Sequence, residues 1–148
     1  MSEVNSAEVL LVEDNPTDLE LTLHVFRKHR LCTNVAVARD GAEALDLIFS
    51  TGAFSGKPRP HFKLILLDLK LPKVSGVEVL RRLKQAPETA HVPVVVLTSS
   101  RELNDVTESY GFGVNSYIVK PVDFEQFNEC VRQIGLYWLT LNDQPPKT

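Results

Sequence analysis

Leu64-Ile65-Leu66-Leu67-Asp68 is a run of four aliphatic residues closed by an acid. Four consecutive apolar residues leave no polar face, which suits a strand buried on both sides, as in a parallel sheet covered by helices on each face. Asp68 then stands at the carboxyl end of that strand, the edge where open parallel α/β sheets build their sites. Taken alone, Asp68 reads equally well as a structural acid that caps a turn. Leu69 to Ser75 follows as a loop, and an amphipathic helix over 76–85 carries Val77, Val79, Leu80 and Leu83.

The pattern recurs along the chain. Val9-Leu10-Leu11-Val12 is all apolar and ends in Glu13-Asp14. Asn15 then fits an N-cap and Pro16 the first helical position. The helix carries Leu19, Leu23 and Phe26 at helical spacing, widened by Leu21, Thr22 and Val25. It closes on Arg27, Lys28, His29 and Arg30, the sign a helix C-terminus favours. Asn34 to Ala38 is a modest strand. Asp40-Gly41 opens a helix over about 42–50, with Ala44, Leu45, Ile48 and Phe49 inward. Thr51 to Phe62 is rich in Gly and Pro and long for such a connection. It reads as an insertion on the side away from the strand ends, with His61 solvated. Val92 to Leu97 is another buried run, with Pro93 at its start and Thr98-Ser99-Ser100 at its end. A short polar helix over about 102–110 is broken by Gly111-Phe112-Gly113. Val114 to Val119 is the last strand, ended by Lys120-Pro121. Asp123 caps a final helix with Phe124, Phe127, Val131, Ile134 and Trp138 on one stripe.

Five strands alternating with five helices predict one parallel sheet with helices on both faces. The expected organisation is an N-terminal tail over 1–7, one domain over 8–138 and an extension over 139–148. Within the extension, the polar, proline-containing stretch 142–148 is expected to fray. The 148 residues, 43% of them hydrophobic, suffice for one domain with a real core. A net charge of −3 and a pI of 5.8 supply no basic face for nucleic acid. Cys32 and Cys130 form no CxxC and read as ordinary reduced thiols. No apolar run reaches membrane-spanning length, and the N-terminus has no signal-peptide pattern, so the cytoplasm is the expected location.

In such a sheet the carboxyl ends of all strands share one edge. The first strand delivers Glu13 and Asp14 there, the third Asp68, the fourth Thr98 and the fifth Lys120. The second, ending near Ala38-Arg39-Asp40, has no evident contribution. Three carboxylates in one pocket repel one another and call for a cation. Oxygen ligands at a partly open site suit a hard ion such as Mg²⁺. Without metal, one carboxylate should hold a proton or the site should loosen. Carboxylates serve as covalent acceptors of phosphoryl groups. Asp68 can act so, with Lys120 and Thr98 holding two phosphoryl oxygens, since phosphoryl transfer needs mainly positioning and charge neutralisation.

This set of residues resembles the receiver domain of two-component response regulators. The matching positions are Glu13-Asp14, Asp68 within Leu67-Asp68-Leu69-Lys70-Leu71-Pro72, Gly76, Thr98-Ser99 and Lys120-Pro121, and the resemblance spans about 8–138. It implies a flavodoxin-like (βα)5 doubly wound fold with strand order 2-1-3-4-5. It implies that Asp68 takes a phosphoryl group from a histidine kinase or a small phosphodonor. Glu13 and Asp14 would bind Mg²⁺ with Asp68 and the backbone carbonyl of Lys70. It implies a phosphoacceptor signalling protein that catalyses only its own phosphorylation and dephosphorylation, rather than an enzyme acting on other substrates. It further implies that Thr98 turns inward and Tyr117 follows, a local charge change biasing a two-state element, reported by the fourth helix, fifth strand and fifth helix. Tyr117 is otherwise a half-buried strand aromatic. The Lys70 side chain would tune the phosphoryl lifetime; otherwise it is a solvated loop lysine.

No further domain follows the fifth helix, so the expectation is a single-domain regulator that acts by binding. The long loop over 51–62 and the segment Gly135-Leu136-Tyr137-Trp138-Leu139-Thr140-Leu141-Asn142 resemble the single-domain regulators that partner bacterial phytochrome kinases and tend to form homodimers through the reporting face. Leu136, Tyr137, Trp138, Leu139 and Leu141 form either a partner surface or a cover for the edge of the core. Three other readings compete. A phosphatase of the haloacid dehalogenase type would want its nucleophile after the first strand and an acid where Lys70 stands. A flavin or nucleotide binder would want a Gly- or Ser-rich loop where Glu13-Asp14-Asn15-Pro16 stands. A degenerate receiver acting as a scaffold would not need the full set of Glu13, Asp14, Asp68, Thr98 and Lys120.

Overall fold

A computed structural model of the chain describes residues 7–32 and 34–144. Residues 1–6 of the expected N-terminal tail and the last four positions of the expected C-terminal tail lie outside these residues. Strands β1 (Val9–Val12), β3 (Leu64–Leu67) and β4 (Val94–Thr98) are buried along their whole length. They occupy the centre of the sheet, where only a strand that is apolar on both faces fits. The half-buried strands β2 (Val35–Ala38) and β5 (Ser116–Val119) form its edges. All pairings are parallel and the order is β2-β1-β3-β4-β5, so the doubly wound flavodoxin-like fold is the observed one.

Alternating side chains along the strands feed two apolar layers. Leu10, Val12, Ile65, Leu67, Val94 and Val96 pack with helices α2 (Gly41–Phe49) and α3 (Gly76–Gln85). Val9, Leu11, Leu64, Leu66, Val95 and Leu97 pack on the other face with α1 (Pro16–Lys28) and α5 (Phe124–Leu136). Among the described residues, four helices start on a side-chain cap. Asn15, Asp40, Ser75 and Asp123 each accept from a backbone N–H of the first turn, an arrangement that contributes about 1 kcal/mol apiece. The remaining helix, α4 (Leu103–Gly111), has no side-chain cap from Glu102, and its only buried residue is Ser109.

Three details differ from the sequence reading. Phe124 is 57% exposed and not on the core stripe. It is the first residue of α5, and side chains at that position lean back toward the helix N-terminus, past the end of the sheet. β5 begins at Ser116, because the Asn115 side chain takes the Val94 N–H (2.8 Å) in place of a longer ladder. After Leu136 the chain widens into a π-helical turn over Tyr137–Leu141. Trp138 and Leu139 thereby turn onto the α1/α5 layer, while Leu136, Tyr137 and Leu141 remain at the surface.

Candidate functional site

Strand register brings the acids together. Val12 and Leu67 are partners on adjacent strands, so Glu13 and Asp68 leave the sheet side by side and Asp14 follows at the rim. One carboxylate oxygen from each of the three lies within 4.8 Å of the others. Glu13 and Asp68 are buried, at 4% and 6% exposure, and Asp14 is open to solvent.

Lys120 follows β5, its N–H bonded to the Thr98 carbonyl at 2.8 Å. Its ammonium lies 2.7 Å from Glu13 Oε1, 2.8 Å from Asp18 Oδ2 and 3.1 Å from Asp68 Oδ2. The fully buried Thr98 hydroxyl donates to the other Asp68 oxygen at 2.7 Å, and the Lys70 backbone N–H donates to that same oxygen at 3.3 Å. Both oxygens of Asp68 are thus fixed in direction. The Thr98 hydroxyl therefore faces Asp68 directly. Tyr117 is half-buried on β5, and its hydroxyl donates to the Ser100 carbonyl at 3.0 Å.

Asp18 is the site residue that the sequence reading missed. It sits in the first turn of α1, where Asn15 accepts its N–H, and helical side chains there lean back toward the end of β1. The available signal was its position three residues after the cap. Lys70 also goes where sequence does not place it. Its ammonium pairs with Asp105 on α4 at 3.3 Å rather than with a site carboxylate.

Three carboxylates, Glu13, Asp18 and Asp68, contact one ammonium, and Asp14 stands near Glu13 and Asp68 at the rim. Burial pushes the Glu13 carboxyl up to about 7, although Lys120 pulls the other way. Burial by itself would lower the Lys120 ammonium, but the neighbouring Asp18 and Glu13 carboxylates more than reverse this and raise it above its usual range. Burial thus favours the protonated form of Glu13, while the surrounding carboxylates keep Lys120 charged. A cluster made only of oxygen donors, with more negative charge than its lysine balances, fits a hard divalent cation. The cavity of about 360 Å³ lined by Ile48, Phe62, Leu83 and Val92 lies at the opposite, amino edge of the sheet and contributes nothing to this site.

The profile of the response regulator receiver domain matches residues 9–132. The chain is 39% identical over 131 residues to the response regulator Rcp1 of Synechocystis sp., covering 88% of each protein. The crystal structure of the Mn²⁺-bound form of Rcp1 superposes with a TM-score of 0.87 at 37% identity, over 95% of this chain and 99% of that one. The phosphorylated cyanobacterial phytochrome response regulator RcpA gives 0.87 at 36% identity, with 95% and 99% coverage. The bacteriophytochrome response regulator AtBRR is 50% identical, with a TM-score of 0.71 over 93% of this chain and 98% of that one.

Proposed function

The chain belongs to the response regulator receiver family, and from that premise we propose that Asp68 accepts a phosphoryl group from the phosphohistidine of a sensor kinase and signals by protein–protein interaction. The observation that carries this reading is the hold on Asp68: a buried carboxylate with Thr98 on one oxygen and Lys120 on the other. In the transfer, an Asp68 oxygen bonds to phosphorus as the N–P bond breaks, and the imidazole keeps the electron pair. Lys120 and Thr98 then exchange the carboxylate oxygens for oxygens of the arriving group from the positions they already hold. Their positions before the reaction already match the charge that develops, which is the condition for low reorganisation. Glu13, Asp14, Asp68 and the Lys70 carbonyl would hold Mg²⁺, which when bound neutralises charge on the transferring group.

The new charge on Asp68 gives Thr98 a stronger acceptor. Tyr117, tied to the Ser100 carbonyl in the same β4–α4 loop, is the switch residue that registers the change. Likeness to RcpA and AtBRR, both phytochrome response regulators by name, supports a phytochrome-type kinase as donor, and the cytoplasm is the proposed setting. The receiver unit covers 8–138, with 139–148 as its extension. The chain acts on no substrate besides its own phosphoryl group. Exposed Leu103 (79%), Val122 (99%) and Phe124 (57%) at the carboxyl edge, together with Leu136 and Tyr137 on the extension side, support a homodimer. Among the described residues no helix is long and apolar enough to cross a membrane.

The test is transfer of radiolabelled phosphate from an autophosphorylated phytochrome-type histidine kinase. Label should appear on this chain and not on Asp68→Asn. Labelling by acetyl phosphate without labelling by any such kinase would leave Asp68 as acceptor and remove the phytochrome pairing.

A further inference from the structure

We propose that Asp105 is a positioning residue: it holds the Lys70 ammonium on α4 while Asp68 is unmodified and yields it to the phosphoryl oxygens when Asp68 is phosphorylated. This rests on the phosphoacceptor reading above and extends it to a residue outside the site.

A continuous polar chain joins the two ends. Asp68 Oδ1 accepts from the Thr98 hydroxyl at 2.7 Å, and Thr98 Oγ1 accepts from the Ser100 N–H at 3.4 Å. The Ser100 hydroxyl donates to Asp105 Oδ2 at 2.6 Å, and the Lys70 ammonium reaches the same oxygen at 3.3 Å. Lys70 closes the circuit, because its own N–H donates to Asp68 Oδ1. One residue therefore has its backbone on the phosphoacceptor and its charge on α4, at the edge of a groove of about 460 Å³ between α3 and α4.

Two features make this pair exchangeable. The Lys70 side chain is 56% exposed whereas that of Asp105 is only 14% exposed. A solvated ammonium gains little from a single surface partner and gives it up readily. Phosphorylation replaces one negative charge at Asp68 by about −1.5 to −2 on three strong acceptor oxygens, beside the backbone of that same lysine. The second feature is the weak anchorage of α4. Its only buried residue is Ser109, whose hydroxyl has no hydrogen-bond partner, and Glu102 provides no side-chain cap. Asp105 in the first turn, with the Glu102 N–H on Ser100 Oγ at 3.3 Å, ties that end of the helix to the β4–α4 loop. Losing Lys70 leaves Asp105 with the Ser100 hydroxyl alone.

The experiment phosphorylates the wild type, Asp105→Asn, Asp105→Glu, Lys70→Ala and the double variant D105N/K70A with acetyl phosphate, removes the donor and follows loss of the phosphoryl group by intact mass. In that hydrolysis a water oxygen bonds to phosphorus, the acyl P–O bond breaks, and Asp68 recovers its carboxylate as inorganic phosphate leaves. Lys70 docked on the phosphoryl group obstructs that water. Asp105→Asn keeps an acceptor for Ser100 but frees Lys70, so the lifetime should lengthen about threefold, the size of an exposed ion pair's contribution. Asp105→Glu should restore the wild-type value. Lys70→Ala should shorten the lifetime, Asp105→Asn should have no effect in that background, and Lys73→Ala, whose lysine pairs with Asp40 at 3.5 Å, should leave it unchanged. With the wild type phosphorylated, an Asp105→Asn effect that is absent, or equal with and without Lys70, overturns the latch alone. Failure of the wild type to take up phosphoryl from acetyl phosphate and from a phosphorylated kinase alike overturns the phosphoacceptor reading and the latch together.

Discussion

Glu13 bears the electrostatic strain of the site, and this gives the metal-free protein a pH dependence with a definite sign. Its carboxyl titrates near 4.5 when solvated and is raised by burial to about 7 in the fold. Between those values the folded state holds a proton that the unfolded chain has released, so stability falls as pH rises through that window. The loss should be on the order of 3 kcal/mol, and Glu13→Gln should flatten it, as read by urea unfolding in the presence of a chelator. A bound divalent ion must displace that proton, so metal affinity should climb over the same range and level off above it. The residue scale is also where the sequence was least complete. Glu13, Asp14, Asp68, Thr98 and Lys120 were legible because each ends a strand, and a parallel sheet fixes where strand ends go. Asp18 and Asp105 were not, because each lies in the first turn of a helix, where an acid has an ordinary explanation in the helix dipole. Only the three-dimensional reach of Lys120 and Lys70 shows what else they hold.

At the scale of elements, the β3–α3 loop is set by close backbone approach. A Cβ on Gly76 would come within 2.2 Å of the Asp68 carbonyl oxygen, and one on Gly41 within 1.9 Å of the Val74 carbonyl oxygen. Gly76→Ala must push the loop away from α3, which should cost about 2–3 kcal/mol by thermal or denaturant unfolding and slow phosphoryl uptake at Asp68. At the amino edge, Lys84 ties α3 to the starts of β4 and β5. Its ammonium donates to the carbonyls of Val92 (2.8 Å) and Ala90 (3.2 Å) and to Asn115 Oδ1 (3.1 Å). Burial lowers its pKa from 10.5 to about 8. Between those values the unfolded chain keeps a proton that the folded state has lost, so this group makes stability rise with pH there. Lys84→Met should abolish that rise and, by leaving carbonyls unpaired, cost about 1–3 kcal/mol at neutral pH. The order of elements was readable because β1, β3 and β4 are apolar on both faces. The start of β5 and the π-helical turn over Tyr137–Leu141 were not, since both depend on what a neighbouring segment offers: the Asn115 amide in one case and the α1/α5 layer in the other.

For the whole molecule, the proposed phosphoryl site and the exposed apolar surface border the same edge of the sheet. β4 and β5 are neighbours, so the start of α4 and the loop after β5 both border the carboxyl edge at which Asp68 stands. Leu103, Val122 and Phe124 present apolar surface there, and Trp138 and Leu139 do not, because they already cover the core. Val122→Glu combined with Phe124→Glu should weaken self-association at least tenfold, measured by sedimentation across a dilution series, while phosphoryl uptake stays at the wild-type rate. Equal weakening by Trp138→Ala alone would point instead to the C-terminal segment. All of this depends on Asp68 being the acceptor, and one measurement addresses that most directly. The protein is incubated with acetyl phosphate and Mg²⁺ and weighed intact beside Asp68→Asn. The account predicts a gain of one phosphoryl mass in the wild type, lost on chelating the metal and absent in the variant. An equal gain in Asp68→Asn, or none in the wild type with either acetyl phosphate or a phosphorylated kinase, would contradict it.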